Sequence, residues 1–240
     1  MLDYTLLVPS SPAKTPLLNN LLNSYKKYKN DFTKEPVIFG GEGRTSCYHT
    51  KVLDMLEVLK TLSSEYVMCI DGWDLIFNKG LDDSLFDDFK DDPNLEFVFA
   101  AETNCFPYSE FSDFFASHAN TEMKYLNAGV IIAKRESYIS ALEKYSNPNN
   151  YDQQEFFQKS DQAISMLMHK DSLEKGDGKV IIDSEARISM QMFQLEKDKD
   201  YTLNEEKQAT YLATGNTPFF VHFNGDGKNQ MPHFEIEYGK

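Results

Sequence analysis

A short apolar run that ends in two closely spaced carboxylates is the feature that most constrains this fold. Val67 to Ile70 lie between polar segments in the stretch YVMCIDGWDLIF (66–77), as expected of a short buried strand. Asp71 follows the strand directly, and Asp74 follows three residues later. Unpaired charge beside a core is costly, so this pair needs a partner. Two interpretations stay open here: an Asp-Gly turn capped by Asp74, and a site for a divalent cation such as Mg2+ or Mn2+.

The length and composition of the chain are those of a globular α/β protein. Its 240 residues are 41% hydrophobic and include 18 Phe and 13 Tyr, which is enough to bury a large core and too apolar for a disordered chain. The net charge of −14 argues against a protein that binds the phosphate backbone of nucleic acids. We expect one domain over residues 1–240, because no internal repeat and no Ser-rich linker divides the sequence.

The sequence shows no targeting signal and no membrane-spanning segment. The N-terminal segment MLDYTLLVPSS has no basic region and no long apolar region, so it does not resemble a signal peptide. No apolar run reaches the roughly 20 residues of a membrane-spanning helix. The cysteines Cys47, Cys69 and Cys105 form no CxxC pair, which indicates neither a disulfide framework nor a zinc site. A cytoplasmic location is therefore the expectation.

Strands and helices alternate along the chain, as in an α/β fold with a mixed, mainly parallel sheet flanked by helices. The apolar patterns predict strands at 4–8, 36–39, 67–70, 95–101, 125–133, 180–182 and 219–223. They predict helices at about 17–25, 49–62, 81–90 and 137–145, and one that begins at about 160. The order of strand 67–70, helix 81–90 and strand 95–101 predicts a parallel βαβ unit.

The helix predicted at 49–62 combines an apolar stripe with a lysine at its start. Five residues at helical spacing are expected to face the core: Val52, Leu53, Leu56, Leu59 and Leu62. Lys51 lies near the helix start, where the macrodipole does not favour a cation. A nearby anion would explain its position, and a solvated surface lysine is the alternative.

Two later segments indicate where a ligand would approach the backbone. The strand at 125–133 is interrupted by polar and small residues at 127–129 (NAG), which predict a bulge or a close approach of the backbone. The strand at 219–223 contains His222 and runs into NGDGK (224–228), whose glycine amides and lysine suit a phosphate. His222 has two interpretations, a hydrogen-bonded core histidine and a ligand.

Four further segments carry weaker signals. Glycines at 40–43 permit close approach of a ligand to the backbone, but the GxxxxGK[ST] pattern of a P-loop is absent. Residues 146–154 (SNPNNYDQQ) predict a polar loop. Ser160 or Asp161 is predicted to cap the helix that follows, and Asp183 is a second carboxylate at a strand end.

Six segments, taken in order, resemble a known family. They are DGWD (71–74), AETNCFP (101–107), YLNAG (125–129), SDQ (160–162), IIDSEARISMQMF (181–193) and VHFNGDGK (221–228). Their order, more than any single motif, is similar to the glycosyltransferase domain of procollagen lysyl hydroxylases and the related collagen galactosyltransferase-like group. The resemblance covers residues 36–228. It implies a GT-A fold, which is a Rossmann-like nucleotide-binding α/β domain, and the use of a UDP-sugar and Mn2+.

The resemblance also implies roles for individual residues. Asp71, Asp74 and His222 would hold Mn2+, or Mg2+ in its place. Trp73, the aromatic residue inside the D-x-x-D motif, would stack on uracil. Asp161 or Asp183 would orient the acceptor hydroxyl or the sugar. The remaining residues implied to contact the nucleotide-sugar are Lys51, Asn127, Gly129, Asn224, Gly225 and Lys228.

The chain departs from the family at three places near the sugar and the acceptor. Ser160 precedes the Asp161–Gln162 pair, where the family has further acidic residues. Ser184 stands where family members often have a histidine, and the last turn reads NGDGK where NGPTK is common. These differences leave the donor open between UDP-glucose and UDP-galactose. They also leave the acceptor open between a glycan and a hydroxylated protein.

Two other functions fit a fold of this kind. A non-catalytic module that binds a nucleotide-sugar would have the same site without turnover. A sugar-nucleotidyltransferase would have a glycine-rich basic loop after the first strand, and the segment at 9–14 has one lysine and no glycine. The sequence therefore favours a glycosyltransferase over the second alternative and does not discriminate against the first.

Overall fold

The computed structural model of the protein describes residues 2–10, 15–40, 48–146 and 160–236. In these ranges the strands are β1 (Tyr4–Pro9), β2 (Val37–Phe39), β3 (Tyr66–Ile70), β4 (Leu75–Phe77), β5 (Phe97–Glu102), β6 (Tyr125–Lys134), β7 (Val180–Asp183), β8 (Ser189–Gln191), β9 (Tyr201–Leu203), β10 (Ala209–Tyr211) and β11 (Phe220–His222). The α-helices are α1 (Thr15–Tyr28), α2 (Tyr48–Leu59), α3 (Asp87–Asp91), α4 (Ser112–Ala116), α5 (Arg135–Tyr145) and α6 (Asp161–Lys175). Short 3-10 helices lie at Asp83–Phe86, Ser109–Phe111 and Gly225–Phe234.

Nine of the described strands form one mixed sheet. Its order is β2-β1-β3-β6-β5-β8-β11-β4, with β7 also paired to β5. Neighbouring strands are parallel, except where β6 meets β3 and β5 and where β4 meets β11. The predicted mixed, mainly parallel sheet is therefore confirmed. Strands β9 and β10 form a separate antiparallel hairpin.

The predicted βαβ unit around β3 is only partly correct. Strands β3 and β5 run in the same direction, but β6 lies between them and is antiparallel to both. The predicted helix at 81–90 is a 3-10 helix at Asp83–Phe86 followed by the short α3. Asp82 starts this segment, because its carboxylate accepts a hydrogen bond from the amide of Ser84. The local sequence predicts that a strand is present. Which strand pairs with it depends on residues far along the chain.

Both faces of the central strands are buried, because helices cover the sheet on each side. In β3, Tyr66, Met68 and Ile70 pack into one hydrophobic cluster, and Val67 and Cys69 pack into another on the opposite face. The first cluster includes residues of α1 and α3, and the second includes residues of α2, α5 and α6. This double coverage explains why β3 is an unbroken apolar run in the sequence.

Helix α2 differs from its prediction in length and in one core residue. It ends at Leu59 and does not continue to Leu62. Its buried stripe consists of Val52, Met55 and Leu59, whereas Leu53 is 41% exposed. Residues three and seven positions after Val52 lie on the same helix face as Val52. Leu53, the next residue along the helix, points away from that face.

A β-bulge interrupts the pairing of β6 with β5. Phe99 pairs with Ile131, but the next residue, Ala100, pairs with Asn127. Residues 128–130 therefore have no partner on β5. The irregularity predicted from the NAG segment is confirmed. At the bulge the carbonyl of Gly129 accepts a hydrogen bond from the amide of Asp71 (2.9 Å), which joins the bulge to the end of β3.

The last third of the described chain adds a third hydrophobic cluster. It includes Met190 on β8, Val221 on β11 and the hairpin residue Tyr201, with Phe234 from the 3-10 helix. Strands β4, β8, β9 and β10 have three residues each and were not predicted. A three-residue strand is too short to show a period-two pattern, so it is predicted only where it lies in a longer apolar run, as β2 and β11 do.

Some predictions lie outside the described residues. These are the polar loop from residue 147 onward and the glycine cluster beyond Gly40. No helix in the part of the chain that the structure describes is both long enough and apolar enough to cross a bilayer.

Asn78 connects the β9–β10 hairpin to the sheet, and we expect its loss to destabilise the protein. Its buried amide donates to the carbonyls of Ala209 (3.0 Å) and Pro218 (2.9 Å) and accepts from the amide of Ala209 (2.7 Å). Asn78→Ala leaves these groups unpaired and should lower the free energy of unfolding, measured in urea, by about 2–4 kcal/mol. The control Asn19→Ala, at an exposed position on α1, should change it by less than about 0.5 kcal/mol. Similar effects of both variants would contradict this role of Asn78.

Candidate functional site

Three side chains that could ligate a metal meet at one end of the sheet. A carboxylate oxygen of Asp71, one of Asp74 and a ring nitrogen of His222 all lie within 4.8 Å of one another. His222 Nε2 is 3.1 Å from Asp74 Oδ1 and 3.5 Å from Asp71 Oδ2. Within the described residues this is the one cluster of three or more such groups. The two aspartates and the histidine singled out from the sequence are therefore neighbours in the fold.

Backbone pairing brings these residues together, although 148 positions separate Asp74 from His222. Asp71 directly follows β3. Asp74 directly precedes β4, which is antiparallel to β11 with Leu75 opposite His222. The carbonyl of Asp74 also accepts a hydrogen bond from the amide of Phe223 (2.6 Å). The β4–β11 ladder thus places Asp74 beside the imidazole.

Gln191 fixes the orientation of the His222 ring. Strand β8 is parallel to β11 with Gln191 beside His222, and Gln191 Oε1 is hydrogen-bonded to His222 Nδ1. The amide nitrogen of Gln191 donates to Ser189 Oγ (2.8 Å), so the amide oxygen faces the ring. His222 Nδ1 therefore carries a proton, and Nε2 faces the carboxylates. A histidine that ligates a metal is held in the same way, by a partner on its other nitrogen.

Lys51 joins Asp161 to this cluster. Its ammonium is 2.6 Å from Asp71 Oδ1 and also forms an ion pair with Asp161. Burial alone would lower the pKa of Lys51, but the carboxylates of Asp161 and Asp71 outweigh burial and hold that pKa well above its usual value. The carboxylates of Asp71 and Asp161 are therefore the nearby anions that explain the position of Lys51 near the start of α2. The lysine connects α2, the end of β3 and α6.

Asp74 lies between two cationic groups. Lys228 Nζ is 2.7 Å from one oxygen, and His222 lies beside the other. Burial would raise the pKa of Asp74, but His222 and Lys228 outweigh it and lower that pKa well below its usual range. Burial would lower the pKa of His222, yet Asp74 and Asp71 outweigh it and raise that pKa above its ordinary value. The metal-free site therefore favours the protonated imidazole.

Glu102, at the end of β5, is a further buried carboxyl next to the cluster. It accepts hydrogen bonds from three side-chain amides: Asn127 (2.9 Å), Gln162 (3.2 Å) and Asn224 (2.8 Å). Burial raises the pKa of Glu102 to about 7, although these bonds and the charge of His222 act in the opposite direction. Its protonation state thus changes near neutral pH, and the three amides already occupy both of its oxygens.

The first turn of α6 is fixed to the bulge of β6. Gln162 accepts a hydrogen bond from the amide of Ala128 (2.6 Å) and donates to the carbonyl of Leu126 (2.6 Å). Ser160 Oγ accepts a bond from an amide in the first turn (3.1 Å), which confirms the predicted N-cap. These bonds set the position of Asp161, which lies between Ser160 and Gln162.

Gly129 leaves the space that the His222 ring occupies. A Cβ atom on Gly129 would lie 2.3 Å from two ring atoms of His222, so a larger residue would displace the ring. The amide of Gly129 donates to Asn127 Oδ1 (2.8 Å), which stabilises the bulge. The close approach predicted at this segment is therefore an approach of the backbone to His222.

The turn after β11 contributes three of the predicted residues. Asn224 Oδ1 accepts a hydrogen bond from the amide of Phe193 (3.0 Å), while its amide nitrogen binds Glu102. Gly225 has a φ of 51°, and a Cβ there would lie 2.8 Å from the Phe193 ring. Lys228, one turn further along the 3-10 helix, reaches Asp74. The turn therefore borders both the metal cluster and Glu102.

Trp73 is half-buried in the turn between β3 and β4. The preceding residue, Gly72, packs against the end of β1, where a Cβ would lie 2.4 Å from the carbonyl oxygen of Pro9. This contact fixes the turn that carries Asp71 and Asp74. Stacking of Trp73 on a base stays a prediction.

Asp183 does not join the cluster. Its fully buried carboxylate accepts hydrogen bonds from the backbone amides of Arg187 (2.9 Å), Ile188 (2.7 Å) and Ser189 (3.0 Å). Both oxygens are used, and these bonds hold the loop that enters β8. A catalytic role for Asp183 stays a prediction, whereas its structural role follows from the contacts.

Three residues of this region were not among the predicted site residues, namely Glu102, Gln162 and Gln191. Glu102 ends an apolar strand, as Asp71 does, so the same rule of strand-end carboxylates would have identified it. Gln191 has no local signal, because its role depends on the register of β8 against β11.

The residues of the cluster fit a divalent cation such as Mn2+ or Mg2+. Carboxylate oxygens suit both ions, and the imidazole favours Mn2+ over Mg2+. A cation bound here would replace two existing partners of Asp74, the proton on His222 and the ammonium of Lys228. The chain therefore already compensates the negative charge that such an ion would neutralise.

A family model described as "PLOD GT domain" matches residues 39–238 of the chain. The match includes every residue of the site, from Lys51 to Lys228. The comparison with curated proteins finds no match.

Solved glycosyltransferases share the fold. A glycosyltransferase involved in the glycosylation of the major capsid of PBCV-1 has a TM-score of 0.60 and 15% identity, over 98% of this chain and 100% of that chain. Mouse xyloside xylosyltransferase 1 in its apo form has a TM-score of 0.56 and 12% identity, over 94% and 99%. The galactosyltransferase LgtC, solved with donor and acceptor sugar analogs, has a TM-score of 0.53 and 13% identity, over 98% and 97%. At these identities the likeness shows the fold alone, and it confirms the predicted GT-A type.

The contact between Gly129 and His222 can be tested by a double-mutant cycle in metal-free buffer. Gly129→Ala should lower the free energy of unfolding by about 1–3 kcal/mol, because the added methyl group overpacks against the ring. In a His222→Ala background the ring is absent, so the part of the loss caused by the ring should disappear, while the contact of the added Cβ with Asn127 Oδ1 (2.9 Å) remains. Urea denaturation of the four proteins measures the cycle. The same loss in both backgrounds would show that the contact with His222 is not the cause.

Proposed function

We propose that this chain, which belongs to the family of PLOD GT domains, transfers a hexose from a UDP-sugar to an acceptor hydroxyl. The hexose is glucose or galactose, and the transfer depends on Mn2+. The observation that carries this proposal is the cluster of Asp71, Asp74 and His222. It lies at the ends of the sheet strands, where α/β proteins bind their ligands. LgtC, which shares the fold, was solved with donor and acceptor sugar analogs.

Asp71, Asp74 and His222 are the proposed ligands of Mn2+, with Mg2+ as the alternative ion. A bound divalent cation would stabilise the negative charge that develops on the diphosphate as it leaves. A cation beside Asp74 would neutralise that carboxylate in place of the ammonium of Lys228. Lys228 and the backbone amides near Gly225 then provide positive groups for the phosphates.

The nucleotide and the sugar are assigned to different residues around this cluster. Trp73, in the turn that carries the aspartates, is the proposed stacking partner of uracil. Asn127, Gly129 and Asn224 line the proposed sugar side, where two of them contact Glu102 directly. Amide and carboxyl groups fixed in this way suit the hydroxyl groups of a hexose.

Asp161 is the better placed of the two predicted acid–base residues. Its carboxylate forms an ion pair with Lys51, and Lys51 also forms an ion pair with Asp71. The side chain of Lys51 therefore connects Asp161 to the metal cluster. Lys51 positions both carboxylates and belongs to the site in that sense. Asp183 would have to break three backbone hydrogen bonds to act on a substrate. We therefore propose that Asp161 orients the reacting groups and that Asp183 supports the loop before β8.

Release of UDP from UDP-glucose and UDP-galactose, with Mn2+, Mg2+ or EDTA, tests the proposed function. We expect release that requires a divalent metal and is faster with Mn2+. Binding of UDP with Mn2+ but no release from either donor would favour a non-catalytic module. Formation of a nucleotide-sugar from UTP and a sugar 1-phosphate would favour a nucleotidyltransferase.

Removal of either aspartate should abolish metal-dependent nucleotide binding. Asp71→Asn and Asp74→Asn keep the size of each side chain and remove its charge, so Mn2+ affinity should fall by at least about 10- to 100-fold. Calorimetry with Mn2+ in the presence of UDP measures this loss. Asp91→Asn, an exposed change in α3, is the control and should bind as the unaltered protein does. Unchanged affinity in the two cluster variants would remove the basis of the metal assignment.

The raised pKa of His222 predicts that Mn2+ binding strengthens with pH. In the metal-free fold, Asp74 and Asp71 favour the imidazolium, so its contribution to stability is full below the ordinary histidine pKa of about 6.5 and is lost as pH rises through the raised value. A ligand imidazole must lose this proton. Mn2+ affinity should therefore increase from about pH 6 to about pH 8.5.

Calorimetry in two buffers of different ionisation enthalpy should show release of a proton on Mn2+ binding. His222→Ala should lose both this release and most of the affinity. His118→Ala, at an exposed position in the loop after α4, should retain both. A Mn2+ affinity that stays constant over this pH range would be inconsistent with His222 as a ligand.

A further inference from the structure

A cavity of about 740 Å3 lies at the ends of β5 and β7, separate from the residues assigned to the metal and the nucleotide. Thr103, which follows β5, and Ser184, which follows β7, both line it. Lys124, just before β6, and Tyr211, at the end of β10, belong to its other walls. Its volume is within the range of small-molecule sites.

The cavity is joined to the proposed sugar site through one residue, Phe193. Thr103 directly follows Glu102, and its hydroxyl donates to the carbonyl of Phe193 (3.5 Å). The amide of Phe193 donates to Asn224 (3.0 Å), and Asn224 donates to Glu102 (2.8 Å). The wall of the cavity and the amides around Glu102 are therefore parts of one hydrogen-bonded unit. Thr103 in the cavity wall is the chain neighbour of Glu102, so the cavity adjoins the residues assigned to the sugar.

The lining of the cavity is polar without a net charge. Hydroxyl groups come from three threonines and Ser184, and Asn120 adds an amide. Glu122 and Lys124 provide one charge of each sign, so the cavity has no excess charge to select a phosphate or an acidic group. Three alanines and the ring of Tyr211 add apolar surface. Such a mixture of hydroxyl, amide and apolar groups matches a ligand that has many hydroxyl groups and no charge.

We infer that this cavity binds the acceptor and that the acceptor is a neutral carbohydrate. This inference rests on the proposed function, which places the donor sugar beside Glu102. In the transfer, the acceptor oxygen forms a bond to the anomeric carbon of the donor, and the bond from that carbon to the diphosphate breaks. UDP leaves with the electron pair, and the proton of the acceptor hydroxyl passes to a carboxylate or to water.

The residue at 184 contributes to this selectivity. Ser184 has a small side chain in the cavity lining, which leaves more of the cavity open than a larger residue would. Ser184 is half-buried, so its hydroxyl is available to the cavity while its backbone stays in the loop after β7. Larger side chains at this position and at Ala213, which is exposed at the cavity wall, should fill the space.

Binding of neutral sugars can be measured separately from turnover. The probes are lactose, cellobiose, methyl β-D-galactopyranoside and methyl β-D-glucopyranoside, titrated by saturation-transfer difference NMR in the presence of Mn2+ and UDP. We expect at least one probe to bind the unaltered protein. Ser184→His and Ala213→Trp should weaken that binding by roughly tenfold or more, because each fills the proposed subsite. Leu212→Trp adds the same bulk at the neighbouring position, which is 47% exposed and outside the cavity lining, and should bind as the unaltered protein does.

Release of UDP without an acceptor separates this inference from the proposed function. The three variants should bind UDP with Mn2+ as tightly as the unaltered protein does, since none of them changes the metal or nucleotide residues. Leu212→Trp, which lies outside the cavity lining, should also release UDP from the donor at the rate of the unaltered protein. Loss of release in the unaltered protein would be a failure of the proposed function. The inference itself is overturned if no probe binds, or if Ser184→His and Ala213→Trp bind it as well as Leu212→Trp does. Transfer to a hydroxylysine peptide that these two variants leave unchanged would also overturn it.

Discussion

Asp74 lies between His222 and Lys228, and this arrangement explains much of the surrounding structure. A carboxylate that is largely removed from water must have cationic or hydrogen-bonding partners, because its solvation is lost. Both partners come from the last strand of the sheet and the turn after it, 148 and 154 positions further along the chain. The β4–β11 ladder, the turn after β11 and the side chain of Gln191 are the means by which the fold supplies them. Binding of a cation would replace these partners, and the ammonium of Lys228 would then need another anion as its partner.

Two kinds of carboxyl group lie side by side in this region, and their environments give them different properties. Asp74 is surrounded by cations, which keep it ionised. Glu102 is surrounded by neutral amides from Asn127, Gln162 and Asn224, which satisfy its oxygens but do not offset burial, so its pKa rises to about 7. The first environment suits a metal and its phosphates, and the second suits the hydroxyl groups of a sugar. The division between the metal side and the sugar side of the proposed site follows from this difference.

The bulge in β6 contacts both the metal cluster and the surroundings of Glu102. It places the backbone of Gly129 against the ring of His222 and turns the amide of Asn127 toward Glu102. A regular strand would keep the pairing of β5 and β6 in register. Gln162 then attaches the first turn of α6 to the same bulge. One local irregularity therefore determines how a strand, a helix and the C-terminal turn converge on the site.

The sequence by itself determined the class of fold and the metal-ligating residue types. Buried strands on both faces of a sheet appear as apolar runs, so β3 and Asp71 could be recognised locally. His222 was identified as the third ligand because the order of the motifs resembles that of a known family. The tertiary structure decided which strands are neighbours. The insertion of β6 between β3 and β5, and the register that places Gln191 beside His222, depend on pairing between residues far apart in the chain. It also decided that the carboxylate of Asp183 binds backbone amides, because a carboxylate at a strand end looks the same in sequence whether its partner is a metal or the chain itself.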